Sequence, residues 1–164
     1  VEEILMSLIV SQTVKIRVSV EGNRYIGYVD IPEGVDRISD LLNTRRPFLK
    51  IQNPSSHESI QKDSDFIINK DHIDYVQVLE EPALPEENKV PGTFFKIRVK
   101  TLSIEITGLL FVPHSGETPM DIVNDERLFL SIKDAEIVNT PEEYTYLGIS
   151  KRKICSVEVY QAQT

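Results

Sequence analysis

The chain has 164 residues, 40% hydrophobic and 27% charged, with a formal net charge of −8. Those proportions belong to an ordinary globular protein, and the acidic excess, with no basic half to offset it, disfavours nucleic acid, which usually needs a concentrated positive face. One cysteine, Cys155, excludes an intrachain disulfide. No apolar run reaches the roughly 18 residues that span a bilayer, so no membrane span is expected, and the lone cysteine makes a reducing cytoplasm the expected compartment. The start at Val1 instead of Met suggests that an upstream segment is missing.

Val1–Gln12 opens with Glu2 and Glu3, which suit a helix N-terminus. Leu5, Leu8 and Ile9 then fall on one helical face, so a short helix is expected there. Val14–Val20 alternates, with Val14, Ile16, Val18 and Val20 on one side and Lys15, Arg17 and Ser19 on the other, the period of a half-buried strand. Glu21-Gly22-Asn23 reads as a turn, and Tyr25–Ile31 returns as a second strand. Gly27 inside that strand predicts a bulge or a sharp bend. A short helix is expected over Asp36–Thr44, then strands over Phe48–Gln52, Phe66–Asn69 and Ile73–Leu79, the last two joined by a turn around Lys70-Asp71. Glu80–Gly92 holds three prolines and four glutamates and reads as a stiff, solvated linker.

The chain then repeats itself. A shift of 81 positions aligns Val14–Glu80 with Phe95–Gln161 without a gap, and 17 of the 67 pairs are identical. The best-matched stretch is Arg37–Ile51 against Thr118–Ile132, both fitting Asp-x-x-Asn-x-x-Arg-x-Phe-Leu-x-Ile. The expected organisation is repeat one with its N-terminal segment (1–80), linker (81–94) and repeat two (95–164). In repeat two Ala135–Val138 prolongs the third strand, and Tyr146–Ser150 and Ile154–Tyr160 flank Lys151-Arg152-Lys153. The expected fold class is mainly β (α+β): two tandem small five-stranded barrel-like repeats, each with one helix between strands two and three. The expected core comprises Ile16, Val18, Phe48, Leu49, Ile51, Ile73, Val76 and Val78, with Ile97, Val99, Phe129, Leu130, Ile132, Ile154, Val157 and Val159 as their counterparts. A repeat of this size leaves apolar surface uncovered, so the two halves are expected to dock.

Five short bent strands with one helix resemble small β-barrels of the Sm-like or SH3-like kind. In the Sm family the helix precedes the first strand, whereas here it lies between strands two and three. The pattern Gly27…Ile38-Ser39-Asp40-Leu41-Leu42-Asn43…Phe48-Leu49, with Asn69-Lys70-Asp71-His72-Ile73, is similar to an uncharacterised bacterial domain family. Repeat two keeps Gly108, Asp121, Asn124, Phe129 and Lys151 of that pattern. The resemblance implies a fold and no mechanism.

Asp40, Asn43 and Arg46 recur as Asp121, Asn124 and Arg127. Capping and turning account for all three types: Thr118 with Asp121 at the third helical position forms a capping box behind Pro119. Asn suits a left-handed helix end, and Arg can bond carbonyls or the Asp across the turn. His57, His72 and His114 show no metal spacing, no residue qualifies as a positioned nucleophile, and seven glycines form no phosphate-binding loop. Neither catalytic residues nor a cofactor or metal are expected. The binding candidates are basic: Lys96, Arg98 and Lys100 alternate along a strand, and Lys151, Arg152 and Lys153 form a turn. They read first as a solvated edge that blocks aberrant pairing, and second as a site for an acidic protein, phosphate or RNA. The expected function is a non-catalytic interaction, scaffold or regulatory module with a protein partner, homo-oligomers included. The alternative is an Sm-like ligand- or RNA-binding barrel.

Overall fold

The computed structural model describes residues 10–32, 37–55, 65–80, 90–141 and 143–160. The chain divides into two compact units, Val1–Ala83 and Leu84–Thr164. Unit 1 carries β1 (Val10–Val20), β2 (Asn23–Pro32), α1 (Ile38–Leu42), β3 (Phe48–Ser55), β4 (Phe66–Asn69), a 3-10 turn (Lys70–His72) and β5 (Ile73–Glu80). Unit 2 carries β6 (Gly92–Thr101), β7 (Glu105–Pro113), α2 (Pro119–Val123), β8 (Phe129–Ile137), β9 (Glu143–Ser150), a 3-10 turn (Lys151–Lys153) and β10 (Ile154–Val159). The protein is therefore mainly β, with the expected strand–strand–helix–strand–strand–strand sequence in each unit.

The strand orders are β5-β1-β2-β3-β4 and β10-β6-β7-β8-β9, and every pairing within a unit is antiparallel. Among the described residues neither order closes on itself through a ladder between its two end strands, so the closed barrel is not part of the observed fold.

The alternation in β1 does what period two requires: Val14, Ile16 and Val18 are buried and Lys15 and Arg17 are half-buried. Glu21 (φ 48°) and Gly22 (φ 86°) form the two-residue loop between Val20 and Asn23, with the positive φ pair that lets a hairpin keep its twist. Asp74 of β5 fixes this loop. Its Oδ2 accepts from Ser19 Oγ at 2.9 Å and from the Gly22 N–H at 3.0 Å.

Gly27 and Gly108 each mark a register shift, in the β2–β3 and β7–β8 ladders respectively. A Cβ at Gly27 would overlap the Ile51 Cγ2 methyl and stand 2.8 Å from the Gln52 carbonyl oxygen. At Gly108 it would overlap Ile132 Cγ2 and stand 3.0 Å from the Lys133 oxygen. The predicted bend is thus a place where the next strand passes too close for any side chain.

Several expectations change. The helix expected over Val1–Gln12 lies outside the described residues except at its end, where Val10–Gln12 already belongs to β1 and pairs with β2. Phe48, expected in the core, is 55% exposed, while its counterpart Phe129 is 2% exposed. Phe48 lies on the outer side of β3, opposite the side on which Leu49 and Ile51 are buried. Val159 is exposed, and Ile154 and Val157 are only half-buried, because β10 pairs with β6 alone among the described ladders. The remaining expected core positions are buried. Asn43 (φ −94°) and Asn124 (φ −91°) end their helices without entering the left-handed region. Each instead returns its backbone N–H to the last turn.

Candidate interaction surface

The repeated polar residues organise the helix ends. In α2, Thr118 accepts from the Asp121 N–H at 3.3 Å, and the Thr118 N–H donates to Asp121 Oδ2 at 2.7 Å, which completes the predicted capping box. The backbone and side-chain hydrogen bonds from Thr118 hold the Asp121 carboxyl below its usual range. Arg37 occupies the cap position of α1 and makes no side-chain cap hydrogen bond. Asp40 faces Arg37 Nε at 3.7 Å instead. Asn43 Nδ2 donates to the Ser39 carbonyl at 2.8 Å.

The helix C-termini are served by lysine, a role that sequence reasoning missed. Lys70 is 4% exposed, and its Nζ donates to the Leu41 carbonyl (3.0 Å), the Thr44 carbonyl (3.3 Å) and Thr44 Oγ1 (3.1 Å). In unit 2, Lys151 Nζ donates to the Ile122 carbonyl (3.3 Å), the Asp125 carbonyl (3.2 Å) and Asp125 Oδ1 (2.7 Å). A cation belongs at this negative end of a helix. Burial, then the Arg46 charge, pushes the Lys70 amine below its ordinary range. Burial pushes Asp125 up. The bond from Lys151, the bond from the Arg127 N–H and the two neighbouring charges outweigh it and hold the carboxyl low. Arg127 donates its N–H to Asp125 Oδ1 at 2.9 Å, and its Nε lies 3.9 Å from Asp125 Oδ2. Arg46 is exposed.

The basic candidates do not form one positive face. Lys151 points inward to α2, Arg152 is exposed, and Lys153 is half-buried. On β6, Arg98 Nε lies 3.5 Å and Lys100 Nζ 3.9 Å from Glu105 Oε1. Arg98 is also paired in register with Glu158, and Lys96 Nζ lies 6.0 Å from the centroid of the Tyr160 ring. Carboxylates therefore offset Arg98 and Lys100, while Lys96 lies over an aromatic ring. His72 Nδ1 meets Glu21 Oε1 at 3.0 Å, His114 Nε2 meets Thr93 Oγ1 at 3.3 Å, and Cys155 is exposed. His57 lies outside the described residues.

Exposed large apolar side chains are scattered, Leu102, Met120 and Leu128 of unit 2 among them, and two of them, Phe48 and Ile67, share the outer face of β3 and β4. Phe48 pairs with Asn69 and Lys50 with Ile67, while Leu49/Ile68 and Ile51/Phe66 turn to the other side. Phe48 is exposed, and so is Ile67 at 60%. Lys50, also exposed, reaches Asp65 at 3.4 Å. At the equivalent place in unit 2, Phe129, Gly148 and Ser150 are buried. The fifth strands reverse this contrast. Tyr75, Val76, Gln77 and Val78 of β5 are all buried, whereas Cys155, Ser156, Glu158 and Val159 of β10 are exposed. No helix among the described residues is long and apolar enough to cross a membrane. Comparison with protein-family models, with curated proteins and with solved structures gives no match.

Proposed function

We propose that the protein is a non-catalytic interaction, scaffold or regulatory module, two tandem small barrel-like repeats that bind proteins through strand edges. The observation that carries this is the outer face of β3 and β4, where Phe48 and Ile67 stand exposed beside an edge strand paired on one side by β3. An edge of this kind offers backbone hydrogen bonds for affinity and side-chain contacts for selectivity, the way an added strand is recognised. The repeated Asp, Asn and Lys are occupied with helix ends, and Arg98 and Lys100 of β6 face a carboxylate, so the polar repeat fits folding better than ligand capture.

A displayed library of extended peptides, followed by amide NMR of the labelled protein with a selected binder, tests this reading. The expected result is binding whose shift changes fall on β4 or β10. A fluorescent single-stranded RNA is titrated alongside at two salt concentrations. Tight, salt-sensitive RNA binding removed by Lys96→Glu, with no peptide binding at either edge, would overturn the proposal in favour of the basic-face alternative.

A further inference from the structure

Resting on the interaction-module reading, we propose that the outer face of β3 and β4 receives an acidic segment of a partner protein. One carboxylate of that segment seats on the loop between α1 and β3, at Arg45 and Arg46, and its apolar side chains cover Phe48 and Ile67. The repeat itself shows what belongs on that loop. In unit 2 the loop supplies its own anion: Asp125 Oδ1 accepts from the Lys151 amine at 2.7 Å and from the Arg127 N–H at 2.9 Å, and Arg127 Nε stands 3.9 Å from Oδ2. Unit 1 keeps both cations of that arrangement, as Lys70 and Arg46, but carries Thr44 in place of Asp125 and Arg45 in place of Glu126. Thr44 Oγ1 meets the Lys70 amine at 3.1 Å, so the amine is hydrogen-bonded while its charge is not offset. Among the described residues no carboxylate forms an ion pair with Lys70, Arg45 or Arg46, and the Arg46 N–H has no hydrogen-bond partner. Asp40, the carboxylate on α1, faces Arg37. The charge that bears on Lys70 is the like charge of Arg46.

This cationic loop runs into the apolar face. Arg45, Arg46, Pro47 and Phe48 are consecutive exposed residues, and the Lys70 N–H donates to the Pro47 carbonyl at 2.8 Å, which holds the loop at the end of β4. That bond also fixes the alternation of the β3–β4 ladder. The N–H and C=O of Ile67 and Asn69 therefore point away from β3, to the open edge. A strand added there sets side chains beside Ile67 and continues past Asn69 toward the loop. The apolar neighbours favour a peptide over a free anion. Unit 2 favours a carboxylate over a phosphate, since aspartate is what it places among the same donors. Lys50 is already engaged by Asp65 at 3.4 Å and plays no part. The net charge of −8 opposes an acidic partner at long range, but in physiological salt that repulsion falls away beyond about 8 Å, whereas the contact on the loop is made inside that distance.

NMR titration of the labelled full chain with a short peptide alternating valine and aspartate tests this, beside twins that carry asparagine or phosphoserine in place of aspartate. The aspartate peptide is expected to shift the amides of Arg46, Ile67 and Asn69. The asparagine twin should bind about tenfold more weakly, the size expected for a hydrogen bond to a charged group. Arg46→Gln, at an exposed position, should weaken the aspartate peptide by a similar factor and leave the melting curve unchanged. Thr44→Asp gives unit 1 the carboxylate that unit 2 already has, so it should abolish binding and raise the melting temperature; Thr44→Asn, of equal size and uncharged, should do neither. Equal binding of the aspartate and asparagine peptides, or binding indifferent to Arg46→Gln and Thr44→Asp, overturns the inference; shifts on β4 or β10 would then leave the module reading in place. A phosphoserine peptide that binds where the aspartate peptide does not overturns the assignment of a carboxylate. No shift with any of the three up to their solubility limits overturns the inference, and the module reading then stands or falls with the peptide library.

Discussion

A lysine amine that meets carbonyl oxygens at the end of a five-residue helix does the work a longer helix spreads over several turns. Removing the Lys70 amine takes a charged donor from the Thr44 carbonyl and from the Leu41 carbonyl, which keeps the Thr44 N–H and Oγ1 as donors. Lys70→Met should lower stability by about 1–3 kcal/mol, the usual worth of hydrogen bonds to a charged group; urea unfolding measures it. Gln77 is the opposite case. It is fully buried, and neither side-chain amide atom has a hydrogen-bond partner among the described residues. Gln77→Leu removes the unmet groups at similar volume and should raise the urea midpoint, by about 1 kcal/mol of stability. The capping box was legible because Thr118, Pro119 and Asp121 are local in sequence. The lysine was not, since alternation assigns a residue to a strand face and cannot show that a long side chain leaves its turn for a helix 26 to 29 residues back.

At the scale of elements, the two repeats agree closely in strand placement because period two and the turn residues are local signals. β4 and the Lys70 turn fall where the pattern puts them. Burial is where equal sequence misleads: Phe48 and Phe129 share the motif Arg-x-Phe-Leu-x-Ile, yet one is open and the other covered. The shared motif does not distinguish them; the residues around it do, with Pro47, Lys50 and Ile67 standing where unit 2 has Leu128, Ser131 and Gly148. Gly27 and Gly108 show the converse, a tertiary constraint readable because one residue type alone satisfies it. Gly27→Ala should cost about 1–3 kcal/mol, as overpacking does, and more than Gly108→Ala, because the backbone oxygen facing Gly27 stands closer. Thermal melts of both variants check the order. Equal melting temperatures for the two would show that the strands shift freely at the bend.

For the whole molecule, acid acts unevenly. Asp121 and Asp125, both in unit 2, are held below their ordinary range. A carboxyl whose folded value is depressed supports the fold above its unfolded value, near 3.9, and loses that support as pH falls through the folded value. Below about pH 4, protection of amides around α2 should therefore fall before that around α1, where Arg37 and Thr44 replace Thr118 and Asp125. Hydrogen exchange across that range reads it. Asp125→Asn should flatten the acid limb of the stability curve, and an unchanged limb would assign acid sensitivity elsewhere.

The pairing of β1 with β5 sets the order in which unit 1 can be made. β1 pairs with β2, and β3 with β4, between neighbours in the chain, and such hairpins close quickly. The β1–β5 ladder joins Lys15 to Glu80, at opposite ends of the unit, so its loop entropy falls due late. During synthesis the first four strands can therefore pair while β1 still has a bare edge, and that edge stays bare until Ile73–Glu80 leaves the ribosome. Asp74, which ties down the Glu21-Gly22 loop, arrives with the same strand. The last strand of unit 1 to be translated is thus also the latch for the first hairpin, and a nascent chain stalled before it would offer its earliest strand to whatever passes.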